Sequence, residues 1–349
     1  MAPAWRPLAD LPRAGGKKCL SMYNSAMKFP IRSTFRLVWL ALILVSAAQA
    51  QVYVIPPGGG DLAGRIETMR VTNQETLLDV ARQYNVGYEE IRLANPEVDF
   101  WLPPPGAEVI LPTRHILPSA GRRGIVLNVP EMRLYFFPLP CTSEKQCMVI
   151  THPVSIGRMD WRTPLGTTHV TGKKKDPSWS PPESIREEAA ANGKPLPAVV
   201  PPGPDNPMGA YAIYLDLPGY RIHGTNRSYG IGLRATHGCV RLYPEDIETL
   251  FERVDVGTAV EIVSQPVKFG WEGDTLFMEV HPPLEEDTES QARLTDIALD
   301  LLEPIALQRS FTLDSREFRR GLEEMSGLPV AISRTSGNKK NRAGNKPAR

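Results

Sequence analysis

Between residues 122 and 265 the chain is a succession of short apolar runs, each closed by glycine, proline or a polar turn. Gly124-Ile-Val-Leu-Asn128 and Arg133-Leu-Tyr-Phe-Phe137 begin the series, and Val149-Ile-Thr-His-Pro-Val-Ser155 and Thr167-Thr-His-Val-Thr171 continue it. Ala210-Tyr-Ala-Ile-Tyr-Leu215 and Thr258-Ala-Val-Glu-Ile-Val263 complete it. Runs of this length and spacing predict strands packed as a sandwich or barrel. A single helix is expected there, over 244–254. Pro244 opens it, Glu245 and Asp246 sit at its positive end, and Ile247, Leu250 and Phe251 share one face. The chain holds 34 prolines, about twice the usual share, and many fall in an excursion over 173–208. That stretch far exceeds a connection of about 4–6 residues, which favours a lid or substrate-binding loop. The fold expected is mainly β with α.

The flanks are of other kinds. Lys17, Lys18, Lys28, Arg32 and Arg36 precede the apolar run Leu37-Val-Trp-Leu-Ala-Leu-Ile-Leu-Val45, and Ala48-Gln-Ala50 follows. A basic segment, a short apolar core and a small-residue site make a secretory signal peptide over 1–50, cleaved after Ala50. The run is too short for the roughly 20 apolar residues of a membrane span. Met22 and Met27 remain alternative starts. With this leader and the basic tail over 334–349 set aside, 27 basic groups face 38 acidic ones. A nucleic-acid binder carries a basic stripe instead, so that class is excluded. The tail reads as solvated and disordered. Residues 51–65 read as a Gly/Pro linker around Pro56-Pro-Gly-Gly-Gly60. Apolar positions at helical spacing from Leu294 to Met325 read as a helical extension over 284–333, covering something else.

Residues 66–113 pattern as strand, helix, helix, strand. Glu75-Thr-Leu-Leu78, Ala94-Asn-Pro96 and Pro105-Gly-Ala-Glu-Val-Ile-Leu-Pro112 carry a resemblance to the LysM module. That resemblance implies a small α+β unit that binds the N-acetylglucosamine-containing glycan of cell walls; a ligand-free packing unit is the alternative.

Chemistry concentrates in Ile222-His223-Gly224-Thr225 and Thr236-His237-Gly238-Cys239-Val240-Arg241-Leu242. A cysteine thiol ordinarily titrates near 8.5, so a nucleophilic one needs an imidazole to take its proton, and His223 and His237 both lie upstream. Gly238 frees the backbone N–H groups to face a developing oxyanion. If the chain leaves that turn extended, Cys239 and Arg241 point the same way, and Arg241 can hold a carboxylate bidentately. Each residue also has a bland reading: a cysteine after glycine is commonly a small buried hydrophobe, and His223 a structural histidine. Zinc held by His223, His237 and Cys239 lacks any familiar ligand pair.

Together the two segments resemble the L,D-transpeptidase (YkuD-type) catalytic domain. Pro153-Val-Ser-Ile-Gly157, Thr163-Pro-Leu-Gly166, Pro177-Ser-Trp179, Pro201-Pro-Gly203 and Asp205-Asn-Pro-Met-Gly209 extend the match over 122–265. Thr236 stands where serine is more usual and keeps the hydroxyl. The resemblance implies a β-sandwich-like mixed sheet with its active site under the 173–208 lid. It makes Cys239 the nucleophile, His223 the general base and the Gly224 carbonyl its orienter. The oxyanion hole falls to the His237, Gly238 and Cys239 amides, and substrate binding to Arg241 and Thr236. It implies peptidoglycan stem peptides as substrate. Cys239 attacks the carbonyl of residue 3, D-alanine leaves, and an amine of another stem or of an outer-membrane lipoprotein accepts the acyl group. No metal or cofactor is expected. A periplasmic location follows from the leader, with no membrane span after its removal. Hydrolysis by the same thioester, as an L,D-carboxypeptidase or endopeptidase, and a non-catalytic LysM-type wall-binding protein are the competing readings. Cys141 and Cys147 flank a polar turn between two expected strands, where an oxidising compartment allows a bridge that leaves Cys239 as the odd thiol.

Overall fold

The computed structural model describes residues 50–334, apart from 73, 143 and 144. The signal-peptide and basic-tail readings lie outside those residues, except for Ala50 and Arg334. Among the described residues no helix is long and apolar enough to cross a membrane.

The chain is mainly β. A nine-stranded mixed sheet runs in the spatial order Gln51–Ile55, Cys147–Pro153, Arg133–Phe137, Gly124–Asn128, Ala259–Val263, Gly166–Lys175, Tyr211–Leu215, Arg221–His223, Val240–Arg241. Two neighbouring pairs, Ala259–Val263 with Gly124–Asn128 and Arg221–His223 with Val240–Arg241, are parallel. The central strands are apolar at successive positions because both faces are covered. Ile125, Leu127, Leu134 and Phe136 enter the larger core beneath the helix Pro244–Arg253. The alternate residues Val126, Tyr135 and Phe137 enter a second core with Ile55, Ala63 and Leu117. A disulfide joins Cys141 to Cys147, and Cys239 is the free cysteine among the described residues.

Residues 51–65 are not a linker. Gln51–Ile55 forms the outer strand against Cys147–Pro153, with Gln51 opposite Thr151 and Ile55 opposite Cys147. Leu62–Gly64 pairs with Arg114–Ile116. The glycine-proline cluster makes only the turn between them, and the β-branched alternation of Gln51-Val-Tyr-Val-Ile55 carries the strand. The 284–333 extension is helical over Thr288–Ala292, Leu294–Gln308 and Ser315–Glu324 but also holds the short strands Thr312–Leu313 and Val330–Ala331. Ahead of it Val267–Glu272 and Thr275–Val280 form a hairpin that Val330–Ala331 joins, and the two longer helices pack on it around Phe269, Met278, Ala298, Leu302 and Phe318.

A strand–helix–helix–strand unit spans Glu67–Arg70, Leu77–Gln83, Tyr88–Ala94 and Glu108–Leu111. Thr76 caps its first helix: the hydroxyl accepts from Asp79 N at 3.1 Å and the Asp79 carboxylate accepts from Thr76 N at 2.9 Å. The unit is seated on the sheet by a fully buried ion pair. Arg133 donates to both Glu90 oxygens at 2.5 and 2.8 Å and to the Thr151 hydroxyl at 2.8 Å.

A second buried polar cluster joins the strand Arg114–Ile116, the sheet and the C-terminal hairpin. Lys268 Nζ donates to Glu131 at 2.8 Å, to Glu279 at 2.7 Å and to Ile116 O at 2.6 Å. Burial opposes its charge, yet the two carboxylates hold it above the ordinary lysine range. His115, Glu131 and Glu279 bring ligand-type atoms within 4.8 Å of one another, but the ammonium already occupies the cation position between the two carboxylates.

Candidate active site

Four side chains on one sheet edge make the site. In the parallel pair Arg221–His223 and Val240–Arg241, Ile222 lies opposite Val240 and His223 opposite Arg241. Extending that register places Arg221 beside Cys239. Side chains alternate along a strand, so Arg221, His223, Cys239 and Arg241 share one face. All four line a cavity of about 140 Å³, together with Thr236, His237 and lid residues that include Trp179 and Met208.

The turn that delivers the thiol is fixed internally. Gly238 has φ +97°, and a Cβ there would come within 2.6 Å of the Tyr220 ring, so both backbone and space demand glycine. The Thr236 hydroxyl, fully buried, accepts from Gly238 N at 3.1 Å and donates to Cys239 O at 2.6 Å. From the other side the Thr163 hydroxyl donates to Gly238 O at 2.9 Å.

Cys239 is half-buried, and its thiol donates to Gly219 O at 3.6 Å. Burial raises its pKa above the ordinary thiol value, against the pull of Arg221 and Arg241. His223 is buried and its Nδ1 lies 2.7 Å from Gly224 O. A carbonyl only accepts, so Nδ1 carries the proton and Nε2 is left as the basic atom. Burial first, then the Arg241 charge, lowers the His223 pKa to about 3. The resting pair is therefore neutral thiol and neutral imidazole.

The 173–208 stretch covers this face, although its first three residues still belong to the strand Gly166–Lys175. Trp179 and Val200 exchange backbone hydrogen bonds at 2.9 and 2.7 Å, and buried Asn206 donates to Pro177 O and Pro201 O. Between these staples lies a helix, Glu183–Ala191, none of whose residues is buried. A polar latch holds it down. Glu188 takes two hydrogen bonds from Arg158 at 2.8 Å and lies 2.9 Å from His237 Nε2. The bond to His237 first, then Arg158, lowers the Glu188 pKa.

The segments on both sides of the Cys239 turn are tied to the strand–helix–helix–strand unit. Ahead of it, Tyr88 N donates to Ile231 O at 3.0 Å, and the backbones approach so closely that a Cβ on Gly232 would fall 2.2 Å from Tyr88 N. Behind it, Asn85 donates to Asp246 at 2.7 Å and the Tyr243 hydroxyl donates to Val86 O at 3.2 Å.

Residues 122–262 match the model of the YkuD L,D-transpeptidase catalytic domain. The whole chain aligns more widely. It is 39% identical over 318 residues to the probable L,D-transpeptidase YbiS of Escherichia coli K12, covering 88% of this chain and all of that protein. It is 40% identical over 299 residues to the probable L,D-transpeptidase ErfK/SrfK of the same strain, covering 84% and 94%. The chain belongs to the L,D-transpeptidase family. Coverage of 88% means that the alignment reaches beyond residues 122–262 on both sides.

The structure brings every residue assigned from the transpeptidase signature to one place. Cys239, His223, His237, Thr236 and Arg241 line the cavity, Gly224 holds the imidazole and Gly238 shapes the turn. Sequence reasoning missed Arg221, Arg158 and Glu188. Arg221 was within reach, since it stands two residues before His223 in a strand and must share its face. Glu188 had no local signal, because its partners are 30 and 49 residues away.

A buried neutral imidazole leaves a mark on the transpeptidase's stability. The unfolded side chain takes up a proton below about 6.5 and the folded one only below about 3. The unfolded state thus binds more protons as pH falls between those values, and stability falls with it. From pH 7 to 5 the His223 share is about 2 kcal/mol. Urea titrations at both pH values should show that much smaller a drop in His223→Asn, and equal drops would remove the imidazole from the account.

Proposed function

We propose that Cys239 is the acylating nucleophile of an exported peptidoglycan L,D-transpeptidase, with His223 as its base. What carries the reading is the shared sheet-edge face: thiol, imidazole held through Nδ1, and Arg241 open on one lidded cavity. The S–H turns from Gly219 O to Nε2, and sulfur attacks the residue 3 carbonyl of a stem tetrapeptide as the proton passes to the ring. Gly238 N–H is engaged by Thr236 in the resting turn, which leaves the His237 and Cys239 amides as the oxyanion donors, with Gly238 joining if that bond opens. Thr236 then serves the substrate indirectly, by holding the turn. Arg241 holds the terminal carboxylate. The C–N bond breaks, the imidazolium returns its proton to the departing D-alanine amine, and a thioester remains. An acceptor amine attacks the thioester, passes a proton to Nε2, and the thiol is restored. The acceptor is another stem's diaminopimelate or a lipoprotein lysine.

The strand–helix–helix–strand unit is the LysM-like glycan-binding module in this reading. Its rigid seating beside the catalytic turn supports a role in presenting wall glycan to the site. The leader supports a periplasmic location.

The test is intact-protein mass spectrometry after incubation with a disaccharide tetrapeptide. The expected species is the protein plus substrate less one D-alanine, with the mass on Cys239. Added amine should discharge it to a cross-linked product; discharge to water alone would name a carboxypeptidase. Neither adduct nor released D-alanine would leave a wall-binding protein.

A further inference from the structure

Two arginines face the cavity and neither has an anionic partner. Among the described residues Arg221 and Arg241 enter no ion pair, and each keeps a buried Nε without a hydrogen-bond partner. The side-chain hydrogen bonds of Arg221 go to weak or uncharged acceptors, Met208 Sδ at 3.7 Å and Gly219 O at 3.4 Å, and its guanidinium lies 5.6 Å from the Tyr214 ring centre. Both residues are half-buried, and guanidinium groups partly withdrawn from water are ordinarily paired, because unmatched charge becomes costly as water is excluded. Elsewhere this chain obeys that rule, with Arg133 on Glu90 and Arg234 on Glu286. Two unmatched forks around one thiol therefore fit a ligand bearing two carboxylates.

Their placement distinguishes the two roles. Arg241 lies lateral to His223, while Arg221 reaches Gly219 O, the carbonyl that also accepts from the Cys239 thiol. A stem tetrapeptide has a carboxylate on the leaving residue and, where residue 3 is diaminopimelate, a second one on that residue's side chain. Resting on the transpeptidase reading with Arg241 on the terminal carboxylate, we infer that Arg221 is a specificity residue binding the side-chain carboxylate of donor residue 3. The enzyme then selects stems whose third residue is a diamino diacid over stems with a simple diamino acid there.

The experiment crosses two enzymes with two donors. Wild type and Arg221→Gln are each given a tetrapeptide with diaminopimelate at position 3 and the same peptide with that side-chain carboxylate amidated. D-Alanine release gives kcat/KM. Charge-assisted hydrogen bonds set the scale, so wild type should prefer the free acid by about 10–100-fold. Arg221→Gln should lose about that factor more on the free acid than on the amide and discriminate less than about 3-fold. Equal losses on both donors would overturn the inference, as would a wild type indifferent to amidation. The pH profile of Cys239 alkylation by iodoacetamide is the second readout. It should move to higher pH in Arg221→Gln, which removes a charge that lowers the thiol pKa, and such a shift together with equal donor losses would make Arg221 a thiolate-positioning residue only. Should Arg221→Gln unfold, Arg221→Lys keeps the charge without the planar fork and should retain part of the preference. A wild type that acylates with neither donor overturns the transpeptidase reading itself, and this proposal with it.

Discussion

Replacing Cys239 with alanine should reduce D-alanine release from a tetrapeptide donor by about 10⁵-fold or more, the scale of losing a covalent nucleophile. The change removes one weak hydrogen bond, to Gly219 O, and leaves the Thr236 and Thr163 bonds that shape the turn untouched. Unfolding free energy should therefore stay within about 1 kcal/mol of wild type. The two measurements, release kinetics and urea unfolding, make the result interpretable. Loss of activity with stability retained assigns the chemistry to sulfur. Activity retained above about a tenth would mean that water or another group attacks the carbonyl, and the covalent route would have to be given up.

Lys268→Met should cost about 3–5 kcal/mol of stability. The side chain is fully buried and its ammonium is shared by Glu131 and Glu279. Glu131, which burial would push upward, is held below the ordinary carboxylate range chiefly by that ammonium. Methionine fills similar volume but leaves two carboxylates in a dry junction with their shared cation gone. One or both must take up a proton, so the loss should shrink as pH falls toward the carboxylate range. Adding Glu131→Gln and Glu279→Gln should recover much of it, since neutral amides carry no unmatched charge. Guanidinium unfolding of the single and triple variants provides the check. A single variant within about 1 kcal/mol of wild type would show that apolar contacts alone hold the C-terminal hairpin on the sheet. Because the cluster joins three parts of the chain, limited proteolysis of Lys268→Met should cut first within the C-terminal unit.

The catalytic strands and the helix Pro244–Arg253 were legible because their signals are local: runs of alternating or continuous apolar residues, a proline at the first helical turn, acids at its positive end. Gln51–Ile55 was just as regular, but the proline-glycine cluster beside it drew the whole stretch into a linker reading. The hairpin Val267–Glu272 and Thr275–Val280 fell between two segments that had stronger patterns. Two-residue strands such as Thr312–Leu313 have no pattern to read, since the partner across the sheet makes them strands at all.

By itself the sequence determined the family and the local arrangement of thiol, turn and histidines, because each depends on residue identity at short spacing: a thiol after a glycine, a hydroxyl three residues before it, an imidazole one strand away. Tertiary structure alone decided what surrounds them. It set Arg221 on the same cavity as the sulfur, latched the lid helix through Glu188, lowered the imidazole's affinity for protons and fastened the small module to both sides of the Cys239 turn. Those outcomes depend on distance and on exclusion of water between residues far apart in the chain, and neither quantity exists until the chain has folded.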